Sequence, residues 1–119
     1  MTPLDVADQI EHRIKELDKA KLLLKPRTDK RAETSALYDK AVAVVLIGLR
    51  NGKAYEMDGV AISDPPASIM EKIAKGICWQ ERLNMDLAEG EYKSLITGIE
   101  LVQAQLNGWQ SINRHLSEK

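Results

Sequence analysis

DPPASIMEKIAKGICWQERLNMDLAEGEYKSLITGIELVQAQLNGWQSINRHL, residues 64–116, decides the fold, because it reads as one very long helix with an apolar stripe. Asp64 can cap it, Pro65 stands where a missing backbone N–H costs nothing, and Ile69, Ile73 and Ile77 begin the apolar period. Further on, Cys78, Met85, Tyr92, Ile99 and Leu106 recur every seven residues, and Ala88, Leu95, Val102, Trp109 and Leu116 fill the second seam position of a coiled-coil heptad. Gly90 falls opposite that seam. A glycine there costs about 1 kcal/mol relative to alanine and leaves the hydrogen-bond ladder intact, so it reads as tolerated.

A continuous helix of this length would run roughly 75–80 Å at about 1.5 Å per residue, more than a domain of this size needs. Leu87, Ile96, Leu101 and Ile112 lie off the strict seam, so the apolar band should meet more than one partner helix. Self-association into a homodimer or larger symmetric assembly is the simplest way to cover it. The predicted oligomer seam is Met85, Tyr92, Leu95, Ile99, Val102, Leu106 and Trp109. A break near Gly90, giving a compact four-helix monomer, is the alternative.

Upstream, Thr2 and Pro3 open a first helix (3–25) with Ile10, Ile14, Leu17 and Leu24 on one stripe. Proline disfavours helical torsion angles in the residue before it, so that helix should end at Lys25-Pro26. Thr28 and Asp29 offer a cap for a second helix (29–50) that contacts its neighbours through Leu37, Ala41, Val44, Val45 and Leu49. Asn51-Gly52 stops it. The two helices are predicted to form an antiparallel hairpin turning at Pro26.

Residues 53–63 alone have β character, with Asp58-Gly59 as a type I′ turn signal between Tyr55, Met57, Val60 and Ile62. The stretch reads as a connector, with a docking loop as the other option. The expected class is therefore all-α: an N-terminal helical hairpin, a short β-like loop and one very long C-terminal helix, in a single domain of 119 residues.

Composition narrows the functional classes. There is no Phe and aromatics reach only 4%, so the core must be built from Leu, Ile, Val and Ala, which suits helix packing better than a ligand-holding cavity. A formal charge of −1 recruits neither nucleic acid nor an anionic membrane by itself. The single cysteine, Cys78, forms no internal disulfide and reads as a small buried hydrophobe in a reducing compartment. No signal peptide opens the chain and its longest apolar run, residues 41–49, is too short to cross a bilayer, so a soluble, cytoplasmic protein with no membrane association is expected.

His12 and His115 lack a second ligand at helical spacing, and no phosphate loop, nucleotide fingerprint or nucleophile elbow is present. No catalytic residue, metal site, cofactor or small-molecule substrate is expected, and the protein is read as a non-enzyme. Local charge is more informative. Lys19, Lys21, Lys25, Arg27, Lys30 and Arg31 cluster in sequence, and Lys21, Lys25, Arg27, Lys30 and Arg31 are the candidate contacts to a nucleic-acid backbone. A solvated basic turn is the simpler interpretation. Trp79 and Trp109 read as packing residues before base-stacking ones.

A helix with Tyr38-Asp39-Lys40-Ala41, a loop at Asn51-Gly52, and a long helix carrying Tyr92-Lys93-Ser94-Leu95 and Leu106-Asn107-Gly108-Trp109-Gln110-Ser111 resembles small helical proteins of phages and prophages. Those are encoded near single-strand-binding and strand-annealing genes. The resemblance covers about residues 35–116 and implies an oligomeric accessory of DNA recombination or replication. Its partners would be copies of itself, single-stranded DNA or a DNA-metabolism protein. The slightly acidic charge departs from a dedicated DNA binder. Two functions are thus expected: a self-associating helical scaffold or accessory, or a single-stranded-DNA-binding module that uses the basic turn around residues 19–31.

Overall fold

Thr2 begins the first helix with a capping box: its hydroxyl accepts from the Asp5 N–H at 3.2 Å, and Asp5 Oδ2 accepts from the Thr2 N–H at 3.0 Å. In the computed structural model, which describes residues 1–118, this helix is α1 (Pro3–Leu22), followed after one residue by α2 (Leu24–Arg50). A two-stranded hairpin, β1 (Tyr55–Met57) and β2 (Val60–Ile62), leads to α3 (Ala67–Ile77) and α4 (Trp79–Ser117). The all-α class, with its helical N-terminal region, small β element and long C-terminal helix, is the observed one.

The joins between helices differ from those expected. The first falls at Leu23, and Pro26 sits in the opening turn of α2, where its missing N–H leaves no bond unmade. Leu23 keeps right-handed helical torsion angles, its N–H donating to the Ala20 carbonyl and its carbonyl accepting from the Arg27 N–H. Thr28 is consequently inside α2, its hydroxyl bonded to the Leu24 carbonyl at 2.7 Å, and caps nothing.

Downstream, Asp64 takes φ 50° and is not a cap. The preceding-residue effect of Pro66 keeps Pro65 out of the helical region, so α3 starts only after Pro66 (φ −56°, ψ 141°). Nor is the long helix single. Cys78 (φ −90°, ψ 27°) separates α3 from α4, although its N–H still reaches the Ala74 carbonyl and its own carbonyl accepts from the Arg82 N–H. The interruption lies two residues beyond Gly76, the weakest helix former of that stretch. Gly90, by contrast, is spanned by α4 without a break.

The turns obey their local chemistry. Gly52 (φ 80°) closes α2 in a Schellman arrangement, with the Lys53 N–H on the Gly48 carbonyl at 2.9 Å and the Gly52 N–H on the Leu49 carbonyl at 3.2 Å. Asp58 and Gly59 both have positive φ (51° and 80°), as a type I′ turn requires, and set the register Met57↔Val60, Glu56↔Ala61, Tyr55↔Ile62.

The chain forms two compact units, residues 1–28 with the segment from Gly90 onward, and residues 29–89. In the first, Leu17 of α1 packs with Val102 and Leu106 of α4, flanked by Ile10 and Ile99. The second has the larger core: Tyr38, Val45 and Leu49 of α2 meet Met70 and Ala74 of α3 and Cys78. Tyr55 and Ile62 of the hairpin pack against that core. An isolated two-stranded ribbon is marginal, so this docking stabilises it. Gly48 gives it room, since a methyl group there would run into Tyr55 Oη, whereas one at Gly76 would stand at an ordinary 3.4 Å from Met57 Sδ.

Candidate interaction surfaces

The heptad stripe is largely spent inside the chain. Leu95, Val102 and Leu106 are buried, and Ile99 lies against the core that Leu17 and Ile10 of α1 complete. Met85 packs against the core of the second unit, and Tyr92 and Trp109 are half-buried. The seam is thus covered at Leu95, Val102 and Leu106 and partly covered at Tyr92 and Trp109. Of the off-seam positions, Leu87 in the second unit is 57% exposed, and Leu101 and Ile112 in the first are 58% and 41% exposed.

The second unit carries an exposed apolar row on α4. Trp79, Leu83 and Leu87 follow one another at four-residue spacing on α4 and are 60%, 47% and 57% exposed. Trp79, expected to be packed, is thus on the surface, because it sits one helical step round from the buried Cys78. Leu37 and Val44 are 51% and 55% exposed on α2. With Lys40, Ala41 and Val45 of α2, and with Ile77, Cys78 and Glu81, they line an open groove.

Cys78 forms part of that groove's floor. Burial, with the negative charge of Glu81 adding to it, pushes its thiol above the usual range, which keeps it a neutral packing group. Arg82 stacks over the Tyr38 ring at 5.6 Å and holds both Asp86 carboxylate oxygens at 3.2 Å.

The basic stretch is more engaged than its sequence suggests. Lys21, Lys25 and Arg27 belong to the first unit, where an Arg27 N–H donates to the Glu91 carbonyl at 3.2 Å. Lys30 and Arg31 belong to the second, where Arg31 is ion-paired with Glu89. Lys21, Lys25 and Lys30 are exposed, and Arg27 and Arg31 half-buried. Acidic and carbonyl groups thus oppose two of the side chains that a phosphate would need.

Titratable clusters are sparse. His12 faces Glu16 at 3.8 Å on the surface of α1, and among the described residues no three His, Cys, Asp or Glu side chains converge as metal ligands would. Among those residues no helix is long and apolar enough to cross a membrane. Comparison with protein-family models, with curated proteins and with solved structures finds no match to this chain.

Proposed function

We propose that this chain acts as a non-enzymatic, self-associating helical scaffold or accessory protein in the cytoplasm. The observation that carries the reading is the exposed apolar side chains of one unit: the row Trp79, Leu83 and Leu87 on α4 and, lining a groove, Leu37 and Val44 of α2. Isolated surface leucines need no explanation, but a row at helical spacing with an exposed indole marks a protein contact. We extend the proposal to phage-type DNA recombination or replication on the sequence motifs of residues 35–116 alone.

Sedimentation velocity from about 1 to 300 μM tests this. Dimers or larger species are expected as the concentration rises. Monomers throughout would overturn the reading. A parallel titration with labelled single-stranded DNA at low and moderate salt examines the second function. The engagement of Arg27 and Arg31 by α4 leads us to expect no strong binding. Tight binding that falls steeply with salt would make the nucleic-acid module the better reading.

A further inference from the structure

We propose that the groove between Leu37–Val44 of α2 and Ile77–Glu81 is a two-fold docking site for a second copy of this chain, with Lys40 of each copy paired to Glu81 of the other. This deepens the self-association reading and rests on it. All of the lining residues lie in the unit formed by residues 29–89.

Three features of the groove select a copy of itself as occupant. First, its rim is apolar on α2, where Leu37 and Val44 stand half-exposed seven residues apart, with the small Ala41 between them. Two large side chains flanking an alanine form a knob-and-hole surface that an identical surface, turned through two-fold rotation, can fill. Second, the two walls carry opposite charges: Lys40 on α2 and Glu81 in the first turn of α4. Third, among the described residues neither side chain makes an ion pair or hydrogen bond within the chain, whereas neighbouring charges do: Glu71 holds Lys75 at 3.1 Å and Arg82 holds Asp86 at 3.2 Å.

Two-fold symmetry imposes reciprocity. In an isologous contact, if residue i of one copy meets residue j of the other, j of the first meets i of the second. A groove with one unpaired cation on one wall and one unpaired anion on the other is therefore complementary to its own rotated image. A surface of a single charge sign would repel its copy. The buried middle of such an interface is the apolar set, and the two ion pairs at its edge fix register and orientation.

Charge-reversal mixing tests it on the full chain. Lys40→Glu alone places two like-charge carboxylate pairs in the dimer, and Glu81→Lys alone places two ammonium pairs. Each is expected to weaken dimerisation at least about tenfold at low salt, as judged by sedimentation equilibrium. An equimolar mixture of the two variants restores both pairs, because the first variant carries acids at both positions 40 and 81 and the second carries bases at both. It should associate like wild type, as should the double swap in a single chain. Val44→Asn, at an exposed position, should weaken association without lowering the unfolding midpoint measured at concentrations where the chain is monomeric, and it serves should Glu81→Lys fold poorly.

If wild type dimerises and both single reversals dimerise equally well, or the mixture shows no recovery, the groove is not the interface and the scaffold reading stands on another surface. If wild type is monomeric at about 300 μM, the groove proposal and the scaffold reading both fall.

Discussion

Gly48→Ala is a small change with a large expected consequence, because it tests whether the β-hairpin is docked where the structure has it. Gly48 lies in the last turn of α2, and its missing side chain is the space that Tyr55 fills: an added Cβ would collide with the phenol oxygen and stand 3.0 and 3.1 Å from ring carbons Cζ and Cε2. In a helix, glycine to alanine is worth up to about 1 kcal/mol in favour of the folded state. Forcing an extra carbon into a filled site costs about 1–3 kcal/mol. With a clash this close the steric cost should win, and a net loss of about 1 kcal/mol is expected. Gly90→Ala is the matched control. Nothing lies within 4 Å of the position its Cβ would take, and α4 is helical on both sides, so the propensity gain should emerge almost whole, about 1 kcal/mol of stabilisation. Two chemically identical substitutions should thus differ by about 2 kcal/mol and in sign. Gly76→Ala, whose Cβ would make only ordinary contact with the flexible Met57 at 3.4 Å, should fall between them. Urea unfolding followed by far-UV circular dichroism measures all three. Repeating Gly48→Ala in a Tyr55→Ala background removes the colliding ring, and there the substitution should become neutral or stabilising. A Gly48→Ala variant as stabilised as Gly90→Ala, or a penalty that survives the loss of Tyr55, would refute the docking of the hairpin on α2.

Two further outcomes follow from the burial and the cap. Leu49, fully buried in the core of the 29–89 unit, should cost about 2–5 kcal/mol when changed to alanine, whereas Leu37→Ala, at 51% exposure, should cost well under half as much under conditions where the chain is monomeric; equal losses in urea unfolding would mean the core is misassigned. Asp5 is held below its usual value of 3.8 by the Thr2 backbone N–H and then by the Thr2 hydroxyl, so the stability it adds is present above 3.8 and disappears as the pH falls through its lower folded value. An NMR titration should place the Asp5 midpoint below 3.8 and show it rising in Thr2→Ala, and a midpoint indifferent to that substitution would contradict the capping box.

Much of this fold is legible where a local rule has no competitor. Thr2-Pro3 opens a helix, Asn51-Gly52 closes one, and Asp58-Gly59 turns a hairpin because each requires only the torsion preferences of a few adjacent residues. Boundaries fail where two rules compete. Asp64 and Pro65 look like a cap and first turn in isolation, but Pro66 removes helical torsion angles from Pro65 and shifts the start to Ala67. Pro26 reads as a stop to the helix before it and is equally at home in the first turn of the helix it occupies. The interruption at Cys78 has no proline to announce it, and its nearest sequence signal is Gly76.

Surfaces are harder to read than elements, for a physical reason. A heptad states that a helix has a stripe to bury, and is silent on whether the partner comes from the same chain. Here Leu17 and Ile10 of α1 supply it for Val102 and Leu106, and Leu95 is buried as well. Among the side chains left over are Leu87, Leu101 and Ile112, off the period, with Trp79, Leu83, Leu37 and Val44. The same logic applies to charge. Lys25, Arg27, Lys30 and Arg31 form a basic run only while the chain is read in one dimension; Glu89 and the Glu91 carbonyl, some sixty residues away in sequence, meet two of them. Lys40 and Glu81 are the reverse case, inconspicuous in sequence yet without an ion pair or hydrogen bond among the described residues, on opposite walls of an apolar groove. What that groove leaves over once the chain has folded, one cation and one anion beside exposed leucine and valine, is the pattern on which the proposal of a second copy rests.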